Sequence, residues 1–171
     1  MWFDTTGVYL TAGIATGKYP LSAFDGALRS ACIADFNLKK VSSIVPPNIP
    51  VRRLSLEKVI SGDGRLVPTI YESIASEIVG SRISVAVDVG VEKDSSGIIF
   101  TYSALATEAH VRKAVREMIK ETMNAKGRPS YHCKIASTSS IVKAPWTCAL
   151  AAAVFSDNDL ESYFRPIVRK R

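Results

Sequence analysis

The side chains that most often carry enzyme chemistry are few in this sequence and form no standard motif. The two histidines, His110 and His132, lack the HExxH spacing, so a metal site would need ligands from distant segments. Nothing places either histidine beside a serine, which leaves a Ser/His/Asp triad open but unsupported. The three cysteines, Cys32, Cys133 and Cys148, are scattered without CxxC spacing and predict reduced thiols. We therefore expect no metal site.

One segment, residues 20–47, combines polar residues in a specific order. It reads PLSAFDGALRSACIADFNLKKVSSIVPP and contains Asp25, Asn37, the pair Ser42 and Ser43, and a double proline. A serine pair alone carries no information, because the chain has others at 95–96 and 139–140. The informative signal is the order and spacing of the aspartate, the asparagine and the serine pair.

This segment resembles the self-processing region of the pyruvoyl-dependent arginine decarboxylases. Chains of that family carry AFDGAL, then an asparagine, then a serine pair followed by two prolines. The resemblance continues through LVPT at 66–69, the strand after Arg82, VREM at 115–118 and CALAAA at 148–153. It therefore spans almost the whole chain.

The resemblance implies that the chain cleaves itself. The hydroxyl of Ser43 would attack the carbonyl of Ser42 and convert the peptide bond into an ester, and elimination and loss of ammonia would leave a pyruvoyl group at position 43. Asn37 would polarise the Ser42 carbonyl, a role that suits a preorganised amide donor. The products would be a β chain of residues 1–42 and an α chain of residues 43–171, folded together as a single domain.

The resemblance also implies a substrate, a cofactor and an assembly. The pyruvoyl group derived from Ser43 would serve as the electron sink for decarboxylation, with no external cofactor. Asp25 matches the family's residue at the far end of the substrate and would pair with the guanidinium of L-arginine, which is converted to agmatine. Without the resemblance, Asp25 would be a solvated residue near a helix N-terminus. The family assembles with active sites between subunits, so we expect a homo-oligomer, either a trimer or a dimer of trimers.

One position departs from the family pattern. The family places a glutamate, its proton donor after decarboxylation, on the second strand of a hairpin, and this chain has Thr101 there, followed by Tyr102. An alcohol is not an acid at neutral pH, and general acid catalysis typically contributes about 10² to 10⁴ in rate. Three hypotheses stay open: an arginine decarboxylase, a non-catalytic member that partners an active paralogue, and a decarboxylase of another amino acid.

The elements that must position these residues are mostly strands. Alternation over 82–93 puts five branched residues on one face, and after turn residues at 93–97 it resumes at Ile98, which predicts an antiparallel hairpin. Helical spacing predicts one helix over 22–34, capped by Ser22, and another from Thr107 to residue 126, ended by Gly127. Further strands are predicted at 8–14, 38–45, 66–74, 131–137 and 147–155, and one short helix within the polar tail 157–171.

This order of elements favours an α+β domain over a doubly wound fold, because strands and helices do not alternate. Helices should cover a mostly antiparallel sheet, and the resemblance implies a helix/sheet sandwich of αββα type. A length of 171 residues predicts a single domain.

Composition and charge exclude several partners. No apolar run approaches the roughly 20 residues of a membrane helix, and the N-terminus lacks the basic residues of an export signal, so we expect a cytoplasmic protein. The net charge of +6 is spread over small groups at 39–40, 52–53 and 169–171, which argues against a nucleic-acid partner.

Overall fold

The computed structural model describes residues 4–54, 62–143 and 145–164 of the chain. The basic residues at 169–171, at the end of the polar tail, lie outside these ranges. The described strands are β1 (Gly7–Gly17), β2 (Asn37–Lys40), β3 (Ile44–Val45), β4 (Val51–Arg53), β5 (Leu66–Ser76), β6 (Arg82–Val91), β7 (Gly97–Ala104), β8 (His132–Ile141) and β9 (Trp146–Ser156). The helices are α1 (Pro20–Ser30), α2 (Glu108–Ala125) and α3 (Asn158–Phe164).

The described strands form two sheets. The first has the order β2-β5-β9-β1-β4 and the second the order β3-β7-β6-β8. Two pairs in the first sheet, β1 with β4 and β2 with β5, are parallel, and all the other pairs are antiparallel. The fold is thus mixed α+β with mostly antiparallel strands, as the sequence predicts.

A shared hydrophobic core lies between residues of the two sheets. The second sheet contributes Ile83, Val85, Val87 and Val89 of β6, the residues whose alternation predicted that strand. The first sheet contributes three alanines of β9, at 149, 151 and 153, and larger residues of its other strands, such as Leu10 of β1 and Ile70 of β5.

The second helix matches its prediction closely. Thr107 caps α2, because its hydroxyl accepts a hydrogen bond of 3.3 Å from the amide of His110. Its buried face, Val111, Val115, Ile119 and Met123, packs on β6 and β7. Gly127 follows the helix with a φ of +67°, which glycine adopts without strain.

The predicted limits of the first helix are wrong at both ends. Helix α1 begins at Pro20, which suits the first helical position, and Tyr19 is its N-cap. Ser22 lies at the third helical position, where its hydroxyl accepts from the Tyr19 amide at 3.1 Å and donates to the Tyr19 carbonyl at 2.9 Å. The helix ends at Ser30, and Cys32 then adopts a φ of +59°.

Helix α1 packs very closely on the first sheet. A Cβ atom added to Gly13 of β1 would lie only 2.2 Å from the carbonyl oxygen of Ala27, so this crossing requires glycine. Ala23 and Ala27, two small residues of the AFDGAL motif, are fully buried where α1 packs on this sheet. Asp25 of the same motif lies on the exposed side of the helix.

The strand predicted over residues 38–45 is wrong as a single element. The chain forms β2 in the first sheet, leaves that sheet after Lys40, and joins the second sheet as β3 at Ile44. The short strand β4 was not predicted, whereas α3 supplies the short helix expected in the tail.

Candidate active site

The serine pair lies where the chain crosses from one sheet to the other. Before it, the amide of Val41 donates to the carbonyl of Thr69 on β5 at 3.3 Å. After it, the carbonyl of Ser43 accepts from the amide of Ile99 on β7 at 2.9 Å. Ser42 is exposed and Ser43 is half-buried. Both ends of the crossing are therefore held by the backbone, and the serine pair lies between them.

The backbone turns tightly at the serine pair. The amide of Ile44 donates to the carbonyl oxygen of Ser42 at 3.0 Å, which closes a three-residue turn around Ser43. An amide donor on this oxygen polarises the carbonyl that the Ser43 hydroxyl would attack. Sequence reasoning missed this donor, because a backbone N–H leaves no signal in residue types.

The residues after the serine pair hold the turn in place. Val45 is fully buried in the core between the sheets. Pro46 and Pro47 are exposed, and the side chain of Asn48 exchanges hydrogen bonds with Asp94, donating at 3.2 Å to the carboxylate and accepting at 3.1 Å from the backbone amide. The turn is thus fixed on its C-terminal side by burial and by contacts to the β6–β7 hairpin.

Asn37 lies at the start of β2, and β2 runs away from it toward the serine pair. Its side-chain amide donates to the carbonyl of Gly64 at 2.5 Å, and its backbone amide donates to Arg65 at 2.8 Å. The three steps along β2 cover roughly 10 Å at about 3.3 Å each. Within one chain, Asn37 contacts the turn before β5 rather than Ser42, and its role in processing stays a prediction.

Asp25 lies on the exposed surface of α1. Its carboxylate forms an ion pair with Arg29 one helical turn later, and both side chains are more than half exposed. Beside it is an open depression of about 650 Å³, lined by Asp25 and by Tyr19, Leu21, Ser22, Phe24 and Leu28. This surface offers apolar contacts with one carboxylate at its margin.

Thr101 lies in the middle of β7, opposite Val87 of β6. Cross-strand neighbours share a face, and Val87 belongs to the core between the sheets, so Thr101 faces the first sheet. Tyr102 points the other way and packs under α2, with its ring centroid 6.2 Å from that of His110. The neighbouring tyrosine therefore cannot take the place of an acid at position 101.

The structure brings together only part of the predicted site. Ser42, Ser43 and Thr101 lie at the β3–β7 edge of the second sheet. The Ser43 carbonyl there accepts from the amide of Ile99, two residues before Thr101. Asp25 lies on α1, which packs on β1, β5 and β9 from the outer side of the first sheet. Asp25 and Asn37 are thus held apart from the serine pair within one chain.

Burial raises the thiol pKa of all three cysteines. Burial raises the pKa of Cys148 to about 11, and burial followed by the charge of Asp88 raises that of Cys133 to about 11. Both remain thiols at neutral pH.

Among the described residues, no cluster of three or more His, Cys, Asp or Glu side chains could hold a metal ion. In the same part of the chain, no helix combines the length and the hydropathy needed to cross a membrane.

Comparisons with known proteins identify similar chains. The family model for pyruvoyl-dependent arginine decarboxylase matches residues 7–160. A protein of that name from Methanocaldococcus jannaschii is 40% identical over 125 residues, which cover 70% of this chain and 72% of the relative. Those from Thermococcus kodakarensis and Pyrococcus abyssi are each 34% identical and cover 90% of this chain and 96% of the relative. Nothing in these comparisons supports the non-catalytic alternative.

Proposed function

This chain belongs to the pyruvoyl-dependent arginine decarboxylase family, and we propose that it cleaves itself between Ser42 and Ser43 and then converts L-arginine to agmatine and carbon dioxide. Membership in the family implies a covalently bound pyruvoyl group derived from a serine of the chain. That group supplies an electron sink for the carbon–carbon bond that breaks. We assign its origin to Ser43.

The observation that carries this proposal is the geometry of the turn at the serine pair. The Ser42 carbonyl oxygen accepts the Ile44 amide, and the Ser43 hydroxyl has no hydrogen-bond partner among the described residues. A polarised carbonyl beside a free hydroxyl is the arrangement that attack on the preceding residue requires. The exposure of Ser42 also gives water access to the products of the cleavage.

Asp25 and the depression beside it fit the substrate. The aliphatic part of arginine can pack on Phe24 and Leu28, while the Asp25 carboxylate accepts hydrogen bonds from the guanidinium. In the free protein, Arg29 offers Asp25 a guanidinium from its own helix. Substrate would displace Arg29, which costs little because the pair is exposed.

The separation of Asp25 and Asn37 from the serine pair supports sites formed between subunits. We propose a homo-oligomer, a trimer or a dimer of trimers, in which a neighbouring subunit brings these residues to the serine turn. Each subunit would be a single domain of residues 1–171, cut into chains 1–42 and 43–171. The contacts of α1 with the first sheet and α2 with the second support an αββα order of layers.

Mass spectrometry of the purified protein tests the cleavage. We expect two fragments, residues 1–42 and 43–171, the second with a carbonyl that reacts with hydroxylamine. Ser43→Ala should abolish cleavage, whereas Ser140→Ala, in another serine pair, should leave it complete. Ile44→Pro removes the amide donor and should slow cleavage by about 10² to 10³, and Ile44→Val should not. An unbroken 18.5 kDa chain after long incubation of the parent would contradict the proposal.

Turnover tests the second half of the proposal. The cleaved parent should release agmatine and carbon dioxide from L-arginine, and the Ser43→Ala protein should release neither. A fully cleaved parent that leaves arginine untouched but decarboxylates another amino acid would overturn the assignment of the substrate while leaving the processing intact.

A further inference from the structure

A carboxylate on β5 faces the second sheet. In the register of β5 with β9, which runs without a bulge from residue 69 to 76, Glu72 lies opposite Ala151. Ala151 and Ile70 belong to the core between the sheets, and Ile74, on the other side of Glu72, packs against that core. Because cross-strand neighbours share a face and strand residues alternate, the Glu72 side chain points toward the second sheet.

The second sheet presents the serine turn and Thr101 toward this carboxylate. β3 pairs with β7 with Val45 opposite Gly97, and the hydrogen bond from Ile99 to Ser43 extends that register by one residue. Ser43 therefore lies at the edge of β7, beside Ile99 and close to Thr101. Strand β5 packs against β7 across the core. By this register, Glu72 and Thr101 both face the space between the sheets, at the edge where the serine pair lies.

The path of the chain before the serine pair leads to the same place. β2 runs parallel to β5 and reaches Thr69 at Lys40, and the Val41 amide still donates to Thr69. In that direction β5 continues toward Glu72. The chain therefore leaves the first sheet at Ser42, beside the part of β5 that lies just before Glu72. The path of the chain in both sheets brings the serine turn to the end of β5 that carries this carboxylate.

The Glu72 carboxyl is available for proton transfer. It is half-buried, and it makes no hydrogen bond or ion pair with any residue in ranges 4–54, 62–143 and 145–164. Loss of carbon dioxide leaves an electron pair on the substrate carbon, and an alcohol such as Thr101 is too weak an acid to protonate it.

We propose that Glu72 is the acid that protonates this carbon, an inference that rests on the proposed decarboxylation. As the bond to the carboxylate breaks and carbon dioxide leaves, the electron pair on the carbon takes the proton of the Glu72 carboxyl. Glu72 is left as a carboxylate and regains a proton from water. A carboxylic acid is thus supplied from β5, across the core from the position that Thr101 occupies on β7.

The test compares Glu72→Gln with Glu77→Gln, whose side chain is exposed just beyond the end of β5. Both variants should cleave completely. Glu72→Gln should lower kcat for arginine by about 100-fold or more, with KM little changed, and Glu77→Gln should match the parent. In a Glu72→Gln background, Thr101→Glu should restore most of the lost kcat, because it returns a carboxyl to the same space from the opposite sheet.

Two readouts separate proton donation from a structural role. In D₂O, the parent should place deuterium on one face of the agmatine carbon, and Glu72→Gln should lose that preference because water then delivers the proton. The carboxyl ¹³C resonance that disappears in Glu72→Gln is assigned to Glu72. Agmatine binding to the parent should shift this resonance. An active parent whose Glu72→Gln variant keeps its rate and its stereospecificity overturns the inference alone. A parent that is cleaved but inert toward arginine overturns the proposed function and this inference with it.

Discussion

The pairing of Asp25 with Arg29 shows what this aspartate contributes to the fold. An exposed ion pair one helical turn apart stabilises a protein by at most about 0.5 kcal/mol. The surrounding motif residues have a structural reason to be there, since Ala23 and Ala27 are buried where α1 packs on the first sheet. Packing does not account for the carboxylate, and recognition of a cationic ligand is the role that we propose for it.

Asp25→Asn should therefore weaken ligand binding without weakening the fold. We expect agmatine to bind less tightly by the roughly 1.5 to 3 kcal/mol of a hydrogen bond to a charged group, while cleavage stays complete. Calorimetric titration with agmatine measures the change. Glu117→Gln is the matched control, because Glu117 forms the equivalent exposed pair with Lys113 on α2. Equal affinity of Asp25→Asn and the parent would remove Asp25 from the substrate site.

Among the elements, α2 is joined to the second sheet by a buried charge as well as by its apolar face. Asp88 of β6 is fully buried and accepts a hydrogen bond of 2.5 Å from Arg116, whose side chain is 46% exposed. Burial raises the pKa of Asp88 above its ordinary value of 3.8, and the hydrogen bond and charge of Arg116 oppose that rise. The helix thus provides the charge that makes an ionised aspartate tolerable beneath it.

Arg116→Met should destabilise the protein in a pH-dependent way. Leaving Asp88 unpaired costs about 3 kcal/mol, the lower end for a broken buried pair because Arg116 is half exposed. Its pKa in the folded state then rises further, so stability falls as pH rises from the unfolded value through the folded one. The loss should be larger at pH 7 than at about pH 4.

Urea unfolding in the Ser43→Ala background, where the chain is unbroken, measures both free energies. Lys113→Met removes an exposed charge from the same helix and should cost less than about 0.5 kcal/mol at either pH. A loss from Arg116→Met that is equal at the two pH values would show that packing, rather than the charge of Asp88, sets the cost.

Local patterns in the sequence predict some elements well and others poorly. The β6–β7 hairpin and α2 follow directly from alternation and helical spacing, because branched residues alternate with small or polar ones along β6 and one face of α2 is buried. The split of residues 38–45 into β2 and β3 could not be predicted, since a change of sheet at Ser42 depends on which strands lie alongside. The same holds for Glu72, whose orientation toward the second sheet follows from the pairing of β5 with β9 and from the packing of the two sheets.

In the molecule as a whole, the residues that we propose for the site lie in two separate regions of one chain. Ser43 and Thr101 lie at the edge between the sheets, whereas Asp25 lies on α1 outside the first sheet. Tyr19 and Leu21, at the depression beside Asp25, are largely exposed large side chains. A second subunit placed against this surface would both cover these side chains and bring a carboxylate to its neighbour's serine turn.

Mixed oligomers test this division directly. Ser43→Ala subunits keep Asp25, and Asp25→Asn subunits keep Ser43, so neither pure oligomer has a complete site. If each site takes Asp25 and Ser43 from different subunits, random mixing at equal amounts should restore roughly one site in four. The activity, measured at an arginine concentration that barely saturates the parent, should then exceed that of both pure variants. Mixed oligomers that are no more active than the average of the pure ones would mean that both residues of a site come from the same subunit, by a path that the single chain does not show.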